Sequence, residues 1–252
     1  MIRVENVSLK HGSAPILHDI SLEIPKGGIT ALIGPNGAGK SSLLSLIARL
    51  QPQQSGRITI DGFPVDTTPN RDMAKIIAIL RQDSIVTSRL RVRELVGFGR
   101  FPHGRGRLTP EDHAVIDRSL KQFDLTDLAD RFIETLSGGQ RQRALVAMAF
   151  AQGTEYLLLD EPLNNLDMYF ARELMRSLRT IVDEAGKTVV IVLHDINQAA
   201  AHADRIVAMK AGRIVADGIP VELLTPKTLQ EIFGFEMRVD IIDDTPVVLH
   251  FR

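Results

Sequence analysis

Cysteine is absent from this chain. Disulfides and thiolate metal sites are therefore excluded, and the composition suits a reducing compartment. Long apolar runs are also absent: nowhere do about 18 apolar residues follow one another, so no segment is expected to span a membrane. The N-terminus, Met1-Ile2-Arg3-Val4-Glu5-Asn6-Val7, has no apolar stretch of the kind a signal peptide needs. Net charge is nearly absent as well. Lys and Arg number 30 against 31 Asp and Glu, which gives no global pull toward nucleic acid or anionic lipid. There is no internal repeat and no low-complexity tract. What is present is ordinary for a globular chain: 252 residues, 44% apolar and 24% charged. That is enough to bury a substantial core as one large domain or two small ones.

One stretch organises the rest. Gly34-Pro35-Asn36-Gly37-Ala38-Gly39-Lys40-Ser41 fits the phosphate-binding pattern of Gly, four free positions, Gly-Lys and Ser or Thr. Before it runs Gly28–Ile33, a short apolar strand. After it, Ser41-Ser42-Leu43 to Leu50 reads as a helix stopped by Gln51-Pro52. Strand, loop and helix are the context the motif requires. Glycines let backbone N–H groups turn inward, and the helix N-terminus adds partial positive charge. Lys40 can then reach phosphates, and the Ser41 hydroxyl can ligate a hard cation.

Around this loop the pattern reads as mixed α/β. Residues 1–30 look like short strands and turns, and Arg57–Gly62 is another alternating strand, so a small antiparallel sheet is expected. Ile76–Leu80 is a buried strand running into Arg81-Gln82-Asp83. From about 83 to 151 the pattern is helical. Thr109-Pro110-Glu111-Asp112 marks a helix start, and Gly99–Arg107 reads as a loop from its Gly and Pro content. Leu136-Ser137-Gly138-Gly139-Gln140 marks a second start, with Ser137 and Gln140 spaced as a capping box. Two glycines weaken a first turn, which points to close approach of a ligand there.

Two apolar runs end abruptly in chemistry-bearing residues: Tyr156–Leu159 in Asp160-Glu161, and Thr188–Leu193 in His194. Continuous apolar runs suit parallel strands covered on both faces. Between them, Asp167 to Ala185 is an amphipathic helix closed by Gly186. Strand, helix, strand with right-handed crossovers builds an α/β sheet, and such sheets bind ligands beyond the strands' carboxyl ends. Arg205–Ala216 is a hairpin, short helices start near Val221 and Thr225, and residues 239–250 form a last hairpin.

With these residues assembled, the chain resembles the ATPase subunit of an ABC transporter over essentially its whole length. Six motifs stand in family order: the phosphate loop Gly34–Ser41, Gln82 of the Q-loop, the signature Leu136–Gln140, Leu157–Glu161 as Walker B, Asn164-Asn165-Leu166-Asp167 as the D-loop, and the switch histidine His194. The resemblance implies a P-loop NTPase core sheet, a small antiparallel β-subdomain and a helical subdomain inserted at about 83–151. It implies that ATP is held by Gly34, Pro35, Asn36, Gly37, Ala38, Gly39, Lys40, Ser41 and Ser42. Mg²⁺ would be ligated by Ser41 and Gln82 and held by Asp160 through water. Glu161 would polarise the attacking water, and His194 would contact the γ-phosphate. Ser137, Gly138, Gly139 and Gln140 would act on ATP held by a second copy of the chain. Where the family usually carries an aromatic residue against adenine, this chain has His11, a smaller face.

Within the family, Glu94–Pro102, Gly106–Thr109 and Leu159–Asp167 resemble the ferric-siderophore import branch. Cobalamin and haem importers are close relatives of that branch. A non-transport ABC ATPase is a further alternative, although the 97 residues from Lys40 to Ser137 leave no room for a long coiled coil. The importer reading implies two membrane-spanning permease subunits, a substrate-binding lipoprotein, a second copy of this chain, no nucleic acid, and a position on the cytoplasmic face of the plasma membrane. Residues 81–107 carry seven Arg against Asp83 and Glu94, a local excess expected to face the permease and adjacent lipid.

Overall fold

The structure, a computed structural model, describes residues 1–82, 89–104, 106–164 and 166–250. The chain divides into two compact units, Met1–Thr68 with Gly186–Arg252 and Pro69–Ala185.

The first unit opens with β1 (Ile2–His11), β2 (Ala14–Ile24), β3 (Gly28–Ile33), α1 (Lys40–Ile47), β4 (Arg57–Ile60) and β5 (Phe63–Pro64). Strands β2-β1-β4-β5 form the expected antiparallel sheet, with Ile2 paired to Ile24 on one side and Ile60 on the other. Ile2, Val4, Leu22, Ile24, Ile58 and Ile60 are all buried. Their alternation is what gives this sheet one dry face and one wet face.

The second unit runs through α2 (Asn70–Ile76), β6 (Ile77–Leu80), α3 (Val92–Phe98), α4 (Phe101–Gly104), α5 (Pro110–Gln122), α6 (Gly138–Ala151), β7 (Tyr156–Asp160) and α7 (Met168–Ala185). β6 and β7 are parallel, in register from Ile77 opposite Tyr156 to Leu80 opposite Leu159, and every residue of β7 is buried. Helices α3, α5 and α6 pack together. At the end of α3 the backbone comes so close that a methyl group on Gly99 would lie 2.2 Å from the Met148 carbonyl oxygen of α6. Thr109 caps α5 as the sequence predicts, its hydroxyl accepting from the Asp112 N–H at 3.2 Å.

The chain then returns to the first unit with β8 (Thr188–Val192), α8 (Ile196–His202), β9 (Arg205–Lys210), β10 (Arg213–Gly218), α9 (Pro220–Leu223), α10 (Pro226–Phe233), β11 (Arg238–Ile242) and β12 (Thr245–Leu249). Within this unit the strands are ordered β10-β9-β3-β8. β3 runs parallel to both β8 and β9, while β10 is antiparallel to β9. All of β8 and five of the six residues of β3 are buried, as continuous apolar runs in parallel strands require. Among the described residues no helix is long and apolar enough to cross a membrane.

Two local expectations are corrected, and the arginine-rich stretch is found to be partly paired within the fold. Residue 76 belongs to a helix, and the strand starts at Ile77. The segment Gly99–Arg107 contains the single helical turn α4, which buries no side chain and so carries no periodic apolar signal. The arginine excess is partly tied into the second unit. Arg89 pairs with Glu134 at 3.8 Å, Arg93 with Asp117, and Arg91 donates to the Asp130 carbonyl at 2.7 Å. Arg89 and Arg91 also lie over the Phe132 ring. Arg100 is inside the fold, bonded to Asp112 at 2.7 Å and to the carbonyls of Ala151 and Gln152. Asp83 and Arg105 lie outside the described residues.

Candidate nucleotide site

In the first unit the phosphate loop begins where β3 ends. Gly34 has φ 139°, and a methyl group there would sit 2.0 Å from the Met209 carbonyl oxygen. Gly39 has φ 99°, and a methyl group there would lie 2.6 Å from Leu17 Cδ2. Only glycine meets both demands of conformation and space. The loop is braced from behind by the β9–β10 turn: Gly212 N–H donates to the Ala38 carbonyl at 3.0 Å, and Gly212 in turn accepts from His18 N–H at 2.9 Å. Asn36 and Gly37 are exposed at the tip, and Pro35 is half-buried.

Lys40 starts α1, and its side chain curls back into the loop. Nζ donates to the Gly34 carbonyl at 2.8 Å and the Pro35 carbonyl at 3.1 Å, and the residue is buried. Among the described residues no side chain caps α1 at Gly39. An ammonium among main-chain carbonyls at a helix start suits a multiply charged anion. Ser41 and Ser42 follow, both half-buried. Ser42 and His11 line one open pocket of about 230 Å³ with Gly12, Ile16 and Gln54. The histidine thus shares a pocket with Ser42, which directly follows the phosphate loop.

His194 is exposed and follows β8. Leu32 pairs with Val192 in the parallel ladder, so Gly34 and His194 each lie two residues beyond a paired position on adjoining strands. Asp195 caps α8, accepting from the Asn197 N–H at 2.8 Å. That cap defines the turn carrying the histidine.

The second unit repeats this arrangement. Leu80 pairs with Leu159, so Gln82 and Glu161 also lie two residues beyond a paired position, with Asp160 buried between Leu159 and Glu161. Glu161 has a left-handed backbone, φ 51°, and its carboxylate Oε2 accepts from Asn164 Nδ2 at 2.6 Å. Asp167 then starts α7, accepting from the Phe170 N–H at 2.9 Å. Asn165 lies outside the described residues.

At the signature, α6 starts with the predicted box: Gln140 N–H donates to the Ser137 hydroxyl at 3.3 Å, and Ser137 N–H donates to Gln140 Oε1 at 3.1 Å. The two glycines differ. Gly138 is exposed and available to a ligand. Gly139 is buried, and a methyl group on it would lie 3.3 Å from Leu166 and 3.4 Å from Phe170 of the same unit. Its smallness is already explained by packing on α7. Sequence reasoning placed Asn164 in the D-loop without a partner for its side chain, and gave no role to the Met209–Gly212 brace. Their contacts are made in the folded chain, and only the Ala211-Gly212 turn left a local signal.

Comparison with known proteins agrees with this geometry. A sequence model of the family described as ABC transporter matches residues 17–164. The chain is 46% identical over 251 residues to the petrobactin import ATP-binding protein YclP of Bacillus subtilis (strain 168), covering 100% of both. It is 40% identical to the iron(3+)-hydroxamate import ATP-binding protein FhuC of the same organism, covering 99% of this chain and 94% of that one. Among solved structures, the ATP-binding cassette MJ0796, a dimer in a post-hydrolysis state bound to ADP and Pi, superposes with a TM-score of 0.78. It is 29% identical, covering 87% of this chain and 98% of that one. The chain belongs to the ABC transporter family, as one of its ATP-hydrolysing cassettes.

Proposed function

We propose that this cassette powers import of an iron–siderophore complex through partner membrane subunits. The observation that carries the reading is its identity of 46% over full length to a petrobactin import ATP-binding protein. The site residues do not touch cargo, so they support the power stroke and are silent on what is moved.

In the proposed cycle the loop Gly34–Ser42 and Lys40 hold the phosphates, with His11 beside the base. The hydroxyl of Ser41, the amide of Gln82 and the buried carboxylate of Asp160 are all hard oxygen donors, the set that magnesium takes. Magnesium, when bound, would neutralise charge on the phosphate oxygens. Glu161 accepts a proton from water as the water oxygen bonds to the γ-phosphorus. The bond to the bridging oxygen breaks and ADP leaves with its electron pair, while His194 steadies the γ-phosphate. Ser137, Gly138, Gly139 and Gln140 act on ATP bound to a second copy, so that two nucleotides bridge a head-to-tail dimer.

Residues 83–151 serve in this reading as a helical subdomain facing the permease. Phe98, Phe101 and Leu108 are exposed there, apolar side chains suited to contact with a membrane subunit. Two permease subunits and a substrate-binding lipoprotein complete the assembly, with the cassette on the cytoplasmic face.

The test is in cells. Deleting the chain is expected to abolish uptake of iron-loaded siderophore and growth on it as sole iron source, and Lys40→Ala should fail to restore either. Persistence of siderophore uptake with loss of haem or cobalamin uptake would overturn the cargo and leave the ATPase intact.

A further inference from the structure

We propose that Asn164 is a positioning residue for the general base, holding the Glu161 carboxylate in the orientation from which it takes the water proton. The proposal rests on Glu161 being that base.

The backbone alone cannot do this. Glu161 leaves β7 in the left-handed region at φ 51°, which is uncommon for a residue with a β-carbon and turns the chain sharply. Pro162 follows and restricts the next φ. These two features aim the Cα–Cβ bond of Glu161, but its side chain still has three rotatable bonds. A swinging carboxylate would sample many positions, and a misplacement of about 1 Å can cost about a hundredfold in rate.

Asn164 removes that freedom. Its Nδ2 donates to Glu161 Oε2 at 2.6 Å, and its main-chain N–H donates to the Glu161 carbonyl at 3.2 Å. The donor therefore rides on a turn anchored to the very residue it orients. The amide hydrogen bond from Asn164 engages one lone pair of one of the two carboxylate oxygens. Because the amide is neutral, it adds no cation of its own next to the phosphates. Both residues are half-buried, where a hydrogen bond to a carboxylate is stronger than one in open water. Further along the chain, Leu166 and Phe170 rest against Gly139.

The experiment uses the full chain assembled with its membrane subunits, and compares Asn164→Leu, Asn164→Ser and Asn164→Asp with Glu161→Gln. Asn164→Leu keeps the bulk and loses the donor. It should lower kcat about ten- to a hundredfold with KM for ATP within about twofold, because the phosphate loop is untouched. Asn164→Ser restores a shorter donor and should recover part of the loss. Asn164→Asp places a second carboxylate against the first and should be at least as slow as Asn164→Leu. In the Glu161→Gln background, Asn164→Leu should change residual hydrolysis by less than about twofold, since the carboxylate it would orient is gone. Near-parental turnover by Glu161→Gln would remove the base reading and this proposal with it. An inactive Glu161→Gln beside a fully active Asn164→Leu would overturn the proposal alone. So would a kcat loss accompanied by an equal rise in KM, or Asn164→Ser no faster than Asn164→Leu, since either marks a merely structural role. Should Asn164→Leu fail to fold, the contrast between Asn164→Ser and Asn164→Asp decides the matter.

Discussion

At Asp112 a charge is used for holding helices together. Its carboxylate accepts from the Thr109 N–H and hydroxyl, both at 3.0 Å, and from Arg100 Nε at 2.7 Å. The Thr109 backbone bond first, then the Arg100 bond, lower its pKa from the ordinary 3.8 to about 2. A group depressed in this way adds stability that is full above the unfolded pKa and is lost as pH falls through the folded value. The wild-type chain should therefore lose stability between about pH 4 and pH 2 from this site, while Asp112→Asn should lack that component at every pH. Discounted for nearby solvent, the difference at neutral pH is about 1–2 kcal/mol. Urea unfolding of both chains across that pH range measures it, and parallel pH profiles would show that the pair contributes nothing. This also explains the behaviour of Arg100, which an arginine count over 81–107 groups with its surface neighbours although the fold has absorbed it.

At the scale of elements, what the sequence reveals depends on whether the cause is local. The phosphate loop, the caps at Thr109 and Ser137 and the apolar strands ending at Asp160 and His194 were legible, because each is set by a few adjacent residues. Helix α2 was not, since in seven residues it buries only Met73. The packing of Gly139 was not legible for the opposite reason: its partners, Leu166 and Phe170, lie far along the chain. The same limit hid the bond between α8 and the C-terminal hairpin. Asn197 Nδ2 donates to the Val248 carbonyl at 3.1 Å, and its Oδ1 accepts from the Val248 N–H at 2.8 Å. This two-way pairing ties β12 to the helix that starts just after His194. Asn197→Ala should cost about 1–2 kcal/mol, because it takes a side-chain partner from two main-chain groups of the buried Val248. Hydrogen exchange gives the local readout: the Val248 amide should exchange faster than in the parent, with β8 and β9 unchanged. An unaltered Val248 rate would mean the hairpin is held by its apolar contacts alone.

At the scale of the whole molecule, the parts proposed to act on one nucleotide include a loop from one copy and a signature from another. Ser137 is exposed, and its helix start carries a capping box made by Ser137 and Gln140 of the same helix. Such a helix start can face an anion brought by a neighbour. A head-to-tail pair then has two composite sites, each needing Lys40 of one copy and Ser137 of the other. Ser137→Arg and Lys40→Ala should each abolish turnover when alone, for every site in either pure dimer is damaged. Mixed in equal amounts, half of the dimers are mixed pairs. In each of those, one site combines both mutations and the other has neither. Activity should thus return to about a quarter of the parental value if sites work independently. Native mass spectrometry would confirm that mixed pairs form. If they form and turnover stays at the level of the separate mutants, the signature does not act in trans at an independent site. If the two mutations instead lay in one site of one copy, no pairing could assemble an intact site, so any recovery on mixing favours the shared arrangement.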